Sequence, residues 1–105
     1  MTAARRFFNV ITPRRSAEDY REVVAFSPWC QPYLDAGINL IKSRRDEAEP
    51  KTGKLAGCLS HAFWASPKEP EPSGRIVYRV KGLDITIMAI HHDHDEAYRR
   101  ARQRV

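Results

Sequence analysis

Two β-prone runs near the C-terminal end constrain this chain most. RIVYRV (residues 75–80) and ITIMAI (85–90) are rich in branched and aromatic residues, and only KGLD separates them. The pair predicts an antiparallel hairpin with a four-residue loop holding Gly82. Side chains alternate across a strand. Ile76, Tyr78 and Val80 therefore share one face, which suits a core packed on helices. Arg75, Val77 and Arg79 share the other, which puts two arginines on an open sheet face.

The remaining elements fall around that hairpin. FFNVIT (7–12) reads as a short first strand ended by Pro13. Ser16 opens a helix with Asp19 three residues on as a capping partner, and Ala17, Tyr20 and Val24 form its apolar stripe. Ser27-Pro28 interrupts it. A second helix starts near Pro32 and runs to about Arg45, with Leu34, Ile38 and Ile41 inward and Lys42, Arg44 and Arg45 towards solvent. The two make a helical hairpin. DEAEPKTG (46–53) reads as a loop, LSHAFWA (59–65) as a second strand, and SPKEPEPSG (66–74), with three prolines, as an extended surface loop. Residues 93–105 form a last helix, Asp93 capping it and Glu96 completing a capping box. The order is β-α-α-β-β-β-α, one α+β domain over residues 1–105 without internal repeat. The expected architecture is a twisted antiparallel sheet packed on a helical hairpin.

The chain's 105 residues make one domain. With 42% hydrophobic and 30% charged residues it is globular, and no apolar run approaches the ~20 residues of a bilayer span. The first ten residues hold two arginines and no long apolar stretch, so no secretory signal is expected and the cytoplasm is the expected compartment. Lys plus Arg number 18 against 13 Asp plus Glu, a formal charge of +5. Such a domain favours anionic partners, nucleic acid first and an acidic protein second. Cys30 and Cys58 lack metal or redox spacing and are expected to be buried thiols.

Four segments, in order, resemble the RelE/ParE superfamily of type II toxin–antitoxin toxins, and the RelE branch in particular. GKLAGCLS (53–60) is similar to that family's lead into its second strand, and SGRIVYRV (73–80) to its arginine-led third strand. ITIMAI stands at the fourth strand, and HHDHDEAYRRARQR (91–104) resembles the RelE-branch ending, a polar run, Glu-x-Tyr and a basic helix. The resemblance implies a RelE-like fold and a cognate antitoxin that wraps the toxin in a hetero-oligomer. For RelE-type members it implies metal-independent cleavage of mRNA on the ribosome; for ParE-type members, inhibition of DNA gyrase without a nuclease site. A third reading is a non-catalytic binding member.

Cleavage through the 2′-hydroxyl needs a base, an acid and cations for the charged transition state. The resemblance implies Arg75 at the scissile phosphate and His92 at a catalytic basic position. It also implies Tyr98 as the helix tyrosine that orients the 2′-hydroxyl or stacks on a base. Arg79, two residues along the same face from Val77, adds a backbone contact. His91 and His94 are alternatives to His92, and Arg99 joins the basic helix that meets RNA. The second strand departs from the RelE branch: it reads His61, Ala62, Phe63, Trp64, with no lysine. His61 or Lys68, the latter in the proline-rich loop, then stands in. The cluster of His91, His92, His94, Asp93, Asp95 and Glu96 lacks a second group to complete a four-ligand set, so no metal and no cofactor are expected.

Overall fold

In a computed structural model that describes residues 8–105, the elements run β1 (Asn9–Ile11), α1 (Arg14–Phe26), α2 (Gln31–Lys42), β2 (Glu49–Pro50), β3 (Cys58–Phe63), β4 (Gly74–Lys81), β5 (Asp84–His91) and α3 (His94–Arg104). Phe7 and the N-terminal residues before it lie outside the described residues. The predicted hairpin is β4–β5, with a tighter turn than KGLD suggests. Lys81 pairs with Asp84, leaving two turn residues. Gly82 takes φ 61°, the glycine-first pattern of a type II′ turn, whose twist matches that of the strands.

The sheet order is β1-β5-β4-β3-β2. β2, β3, β4 and β5 are antiparallel, but β1 runs parallel to β5, pairing Asn9 with Asp84 and Ile11 with Thr86. The sheet is therefore mixed, not wholly antiparallel. No hairpin joins β1 to β5, so no turn chemistry dictates their direction. β2 forms where the sequence predicts only loop. Its Pro50 is tolerated on the sheet edge, where a missing N–H costs no ladder bond.

Val77 opposes Ala89 and Tyr78 opposes Ile87, so Met88 is an extra residue, a β-bulge. The bulge turns both Met88 and Ala89 to one face and returns Ile90 to the other. Two cores result. Ile76, Tyr78, Ile85, Ile87 and Ile90 pack with Val23, Leu34 and Ile41 of the helical hairpin. Val77, Met88 and Ala89 pack with Leu55, Cys58, Ala97 and Ala101. The alternation along β4 is as the sequence predicts. The face carrying Arg75 and Arg79 is not open, however: α3 lies across it over Val77, with two alanines permitting close approach. Cys30 and Cys58 are both buried free thiols.

β1 covers only the first three residues of β5's outer edge. Side chains of α1 and Arg104 of α3, which donates to the Met88 carbonyl at 3.1 Å, bond groups beyond them. The Ser16 hydroxyl donates to the Ile87 carbonyl at 2.6 Å, and the Asp19 carboxylate accepts from the Ile90 N–H at 3.1 Å. These residues therefore do not cap α1, which begins directly after Pro13 with no side-chain cap. The buried Asp19 carboxylate also receives Arg100, at 3.0 Å, and Arg104 from α3. α3 is capped by Asp93 as predicted, its carboxylate accepting from the Glu96 N–H at 3.0 Å, but the capping box is not closed: the Asp93 N–H goes to His91 and the Glu96 carboxylate to Arg99 and Arg100.

Removing a partner from a buried charge cluster leaves the remaining charges uncompensated. Asp19→Ala is expected to cost about 3–5 kcal/mol, read as a lowered midpoint in equilibrium urea denaturation.

Candidate active site

β3, β4 and the first turns of α3 bring together four polar side chains beside the second core. Ser60 is opposite Val77 and shares its face; its hydroxyl lies 3.2 Å from the Tyr98 hydroxyl. Arg75 Nε donates to the same oxygen at 3.2 Å. Lys51, just past β2, holds its Nζ 4.3 Å from the centre of the Tyr98 ring. Arg75 is pinned by Nη1, which donates to the Pro72 carbonyl at 2.7 Å and the Gly74 carbonyl at 2.9 Å. Its Nη2 has no bond among the described residues. Arg75 and His94 line a 280 Å³ cleft walled by residues 69–73.

Burial opposes ionisation of the Tyr98 phenol. The bonds from Ser60 and Arg75 and the charges of Arg75 and Lys51 outweigh it and bring the phenol below its usual value. Tyr20 and Tyr78 move the other way, burial and bonds to carboxylates pushing both phenols up.

The other residues singled out from the sequence spread more widely. His94 is exposed at the cleft, its ring centre 6.2 Å from that of Tyr98 and its Nδ1 3.0 Å from Asp95. His92 turns towards α1, stacking on Phe26 at 3.9 Å and on His91 at 4.2 Å. His91 is buried and accepts the Asp93 N–H at 2.9 Å. His61 faces the helical hairpin: it pairs with Ile76, and a Cβ on Gly37 of α2 would stand 3.0 Å from its ring. It is on the opposite face from Ser60 and Tyr98. Arg79 is at the far end of β4, in a 420 Å³ cleft with Arg14, Arg15 and Arg104. Lys68 is exposed in the proline-rich loop, and Arg99 pairs with Glu96 on the outside of α3. Among the described residues no group of three His, Cys, Asp or Glu is placed to hold a metal ion.

Sequence reasoning missed Ser60 and Lys51. Ser60 is signalled by strand parity, since it and His61 must face opposite ways. Lys51 carries no such signal, because only the pairing of β2 brings it near Tyr98.

His61 and His92 each have a buried Nδ1 without a partner among the described residues. Burial holds both imidazoles below their usual value, with the neighbouring His91 adding to the effect at His92. Below about pH 6.5 the unfolded chain binds protons there that the native state refuses, so stability falls on acidification until the native rings protonate. His92→Phe keeps the stack on Phe26, and it is expected to lessen the drop in urea midpoint between about pH 7.5 and 5.5. In alkaline ultraviolet titration Tyr98 is expected to ionise before Tyr20 and Tyr78. Tyr98→Phe should delete that step, and Arg75→Ala should move it upward.

No protein-family model matches the sequence, and no curated protein matches it. Solved structures do match in shape. A chain of the YoeB–YefM complex from Staphylococcus aureus superposes with a TM-score of 0.59 at 17% identity, covering 80% of this chain and 94% of that one. The YoeB dimer from the same organism gives 0.59 at 18% identity, covering 84% and 97%. The toxin–antitoxin complex RelBE2 from Mycobacterium tuberculosis gives 0.52 at 17%, covering 82% and 98%. The chain has the fold of these proteins, an α+β domain of five strands and three α-helices.

Proposed function

We propose that this chain is the toxin of a type II toxin–antitoxin pair and cleaves messenger RNA on the ribosome, without a metal. The observation that carries this reading is the Tyr98 phenol, held between Arg75, Lys51 and Ser60 and lowered in pKa by them. Likeness of fold to YoeB and to the RelBE2 complex supports it.

The ribose 2′-oxygen attacks the adjacent phosphorus as its proton passes to a base. A cyclic phosphate forms, the bond to the 5′-oxygen breaks, and an acid protonates that oxygen. Tyr98, its phenol lowered by its cations, takes the 2′-proton or orients the hydroxyl. Arg75 presents Nη2 to the phosphate while its other nitrogens hold it in place. Lys51 supplies a second cation, in the role of the lysine that β3 lacks. His94, exposed at the cleft mouth, protonates the leaving oxygen in preference to His92, which packs on Phe26. Arg79 with Arg14 and Arg15 gives phosphate contacts away from the chemistry. The partner is an acidic, partly disordered antitoxin; YoeB–YefM and RelBE2 are themselves toxin–antitoxin complexes.

The test is induced expression in a bacterium with primer extension on abundant mRNAs. Cuts within translated codons that vanish when initiation is blocked are expected. Arg75→Ala and Tyr98→Phe should each lower cleavage by about 10²-fold or more while remaining folded. Growth arrest with intact mRNA and impaired gyrase would replace this reading with gyrase inhibition.

A further inference from the structure

An aromatic cleft stands apart from the Arg75 group. Trp29, in the short turn between α1 and α2, stacks on Tyr33 of α2 with ring centres 4.7 Å apart. Trp64, just past β3, and Pro67 face them across a 300 Å³ cleft. The rings are 40%, 45% and 37% exposed for Trp29, Tyr33 and Trp64. Grouped exposed aromatics in a monomer mark a binding surface more often than chance.

Glu69 connects this cleft to the catalytic one. It lines both. Its carboxylate is occupied by the Ala65 N–H at 3.1 Å and by the Ser73 N–H and hydroxyl. It therefore acts as a partition wall whose charge is satisfied internally. On one side of it stands a guanidinium with a nitrogen to spare; on the other stand planar rings. Cation for backbone and ring for base is the arrangement that holds single-stranded nucleic acid.

We infer that the Trp29–Tyr33–Trp64 cleft stacks an unpaired nucleobase of the same RNA strand whose phosphate lies at Arg75. The inference rests on the RNA-cleaving reading. The adjacency of the two clefts, which share Glu69 as a wall, together with the +5 charge of the chain, favours RNA over an apolar protein segment.

Trp29 and Trp64 are the only tryptophans in the chain, so intrinsic fluorescence reports this cleft alone. The probe is a short, end-labelled, fully 2′-O-methylated single-stranded RNA, followed by label anisotropy and by tryptophan emission with the full chain. Binding is expected to quench the emission, and an oligonucleotide made abasic throughout should bind without quenching. Trp29→Ala and Trp64→Ala should each weaken binding about 5- to 150-fold, and Trp64→Phe should restore it. Binding with unchanged emission and unchanged affinity in both alanine variants overturns the stacking site and leaves the RNA reading standing. Failure of any oligonucleotide to bind overturns the stacking site, while the ribosome-dependent reading stands or falls on the primer-extension test. Emission that responds to protein concentration or to the antitoxin, but not to RNA, gives the cleft to a protein partner and overturns the inference.

Discussion

The open edge of β5 sets the terms for the rest of the molecule. β1 pairs with it over three residues only, and the backbone groups beyond need partners. Ser16 and Asp19 bond two of them, which buries a carboxylate at the edge of the sheet. That charge in turn demands cations, and Arg100 and Arg104 of α3 answer it. One acid thus ties α1, β5 and α3 together. The tie also sets the roll of α3. At about 100° per residue, Ala97 and Ala101 form the seat, Arg100 and Arg104 flank it on one side, and Tyr98 flanks it on the other. With the arginines held at Asp19, Tyr98 is held over Ser60 and Arg75. The catalytic proposal depends on a hydrogen bond made across the full width of the helix.

The cations around Tyr98 belong to those without a carboxylate partner among the described residues. Arg14, Arg44, Arg99, Arg100 and Arg104 all have carboxylate partners. Arg75 and Lys51 have none among the described residues. Two cations beside one phenol, with no carboxylate bonded to either among the described residues, is a poor arrangement for stability in isolation. It is a good one for a site that receives an anion, because the missing negative charge arrives with the phosphate.

Local chemistry was readable in the sequence; pairings between distant segments were not. The hairpin, the parity of Arg75 against Ile76, and the Asp93 cap depend on neighbours within a few residues and stand as read, except that the hairpin turn is two residues rather than four. β2 and the parallel direction of β1 depend on strands tens of residues away, and periodicity does not encode them. Asp19 shows how the two mix. Its spacing from Ser16 fits a capping box, yet both side chains are spent on the β5 edge. At the site, Arg75 and Tyr98 come from motif and order, whereas His61 is read as standing in for the missing lysine, which needs it on the face of Ser60 and Tyr98. Strand parity decides the other way.

The delivery of Lys51 has its own physical cause. α2 ends with Arg44 at φ 56°, a left-handed conformation that costs a non-glycine residue about 1 kcal/mol. Arg44 is held there by its bonds to Asp46, at 3.0 Å, and to the Tyr78 hydroxyl, at 2.5 Å. Tyr78 also donates to Asp46. Burial and that bond to Asp46 push the Tyr78 phenol up, so it remains a donor throughout the physiological range. The peg sits in the core under the helical hairpin, yet its consequence lies beyond it. It fixes the chain as it leaves α2, so β2 pairs at Glu49 with Ser60 and Lys51 emerges over the ring of Tyr98. A buried tyrosine on one face of β4 therefore governs a cation beside the tyrosine on the other.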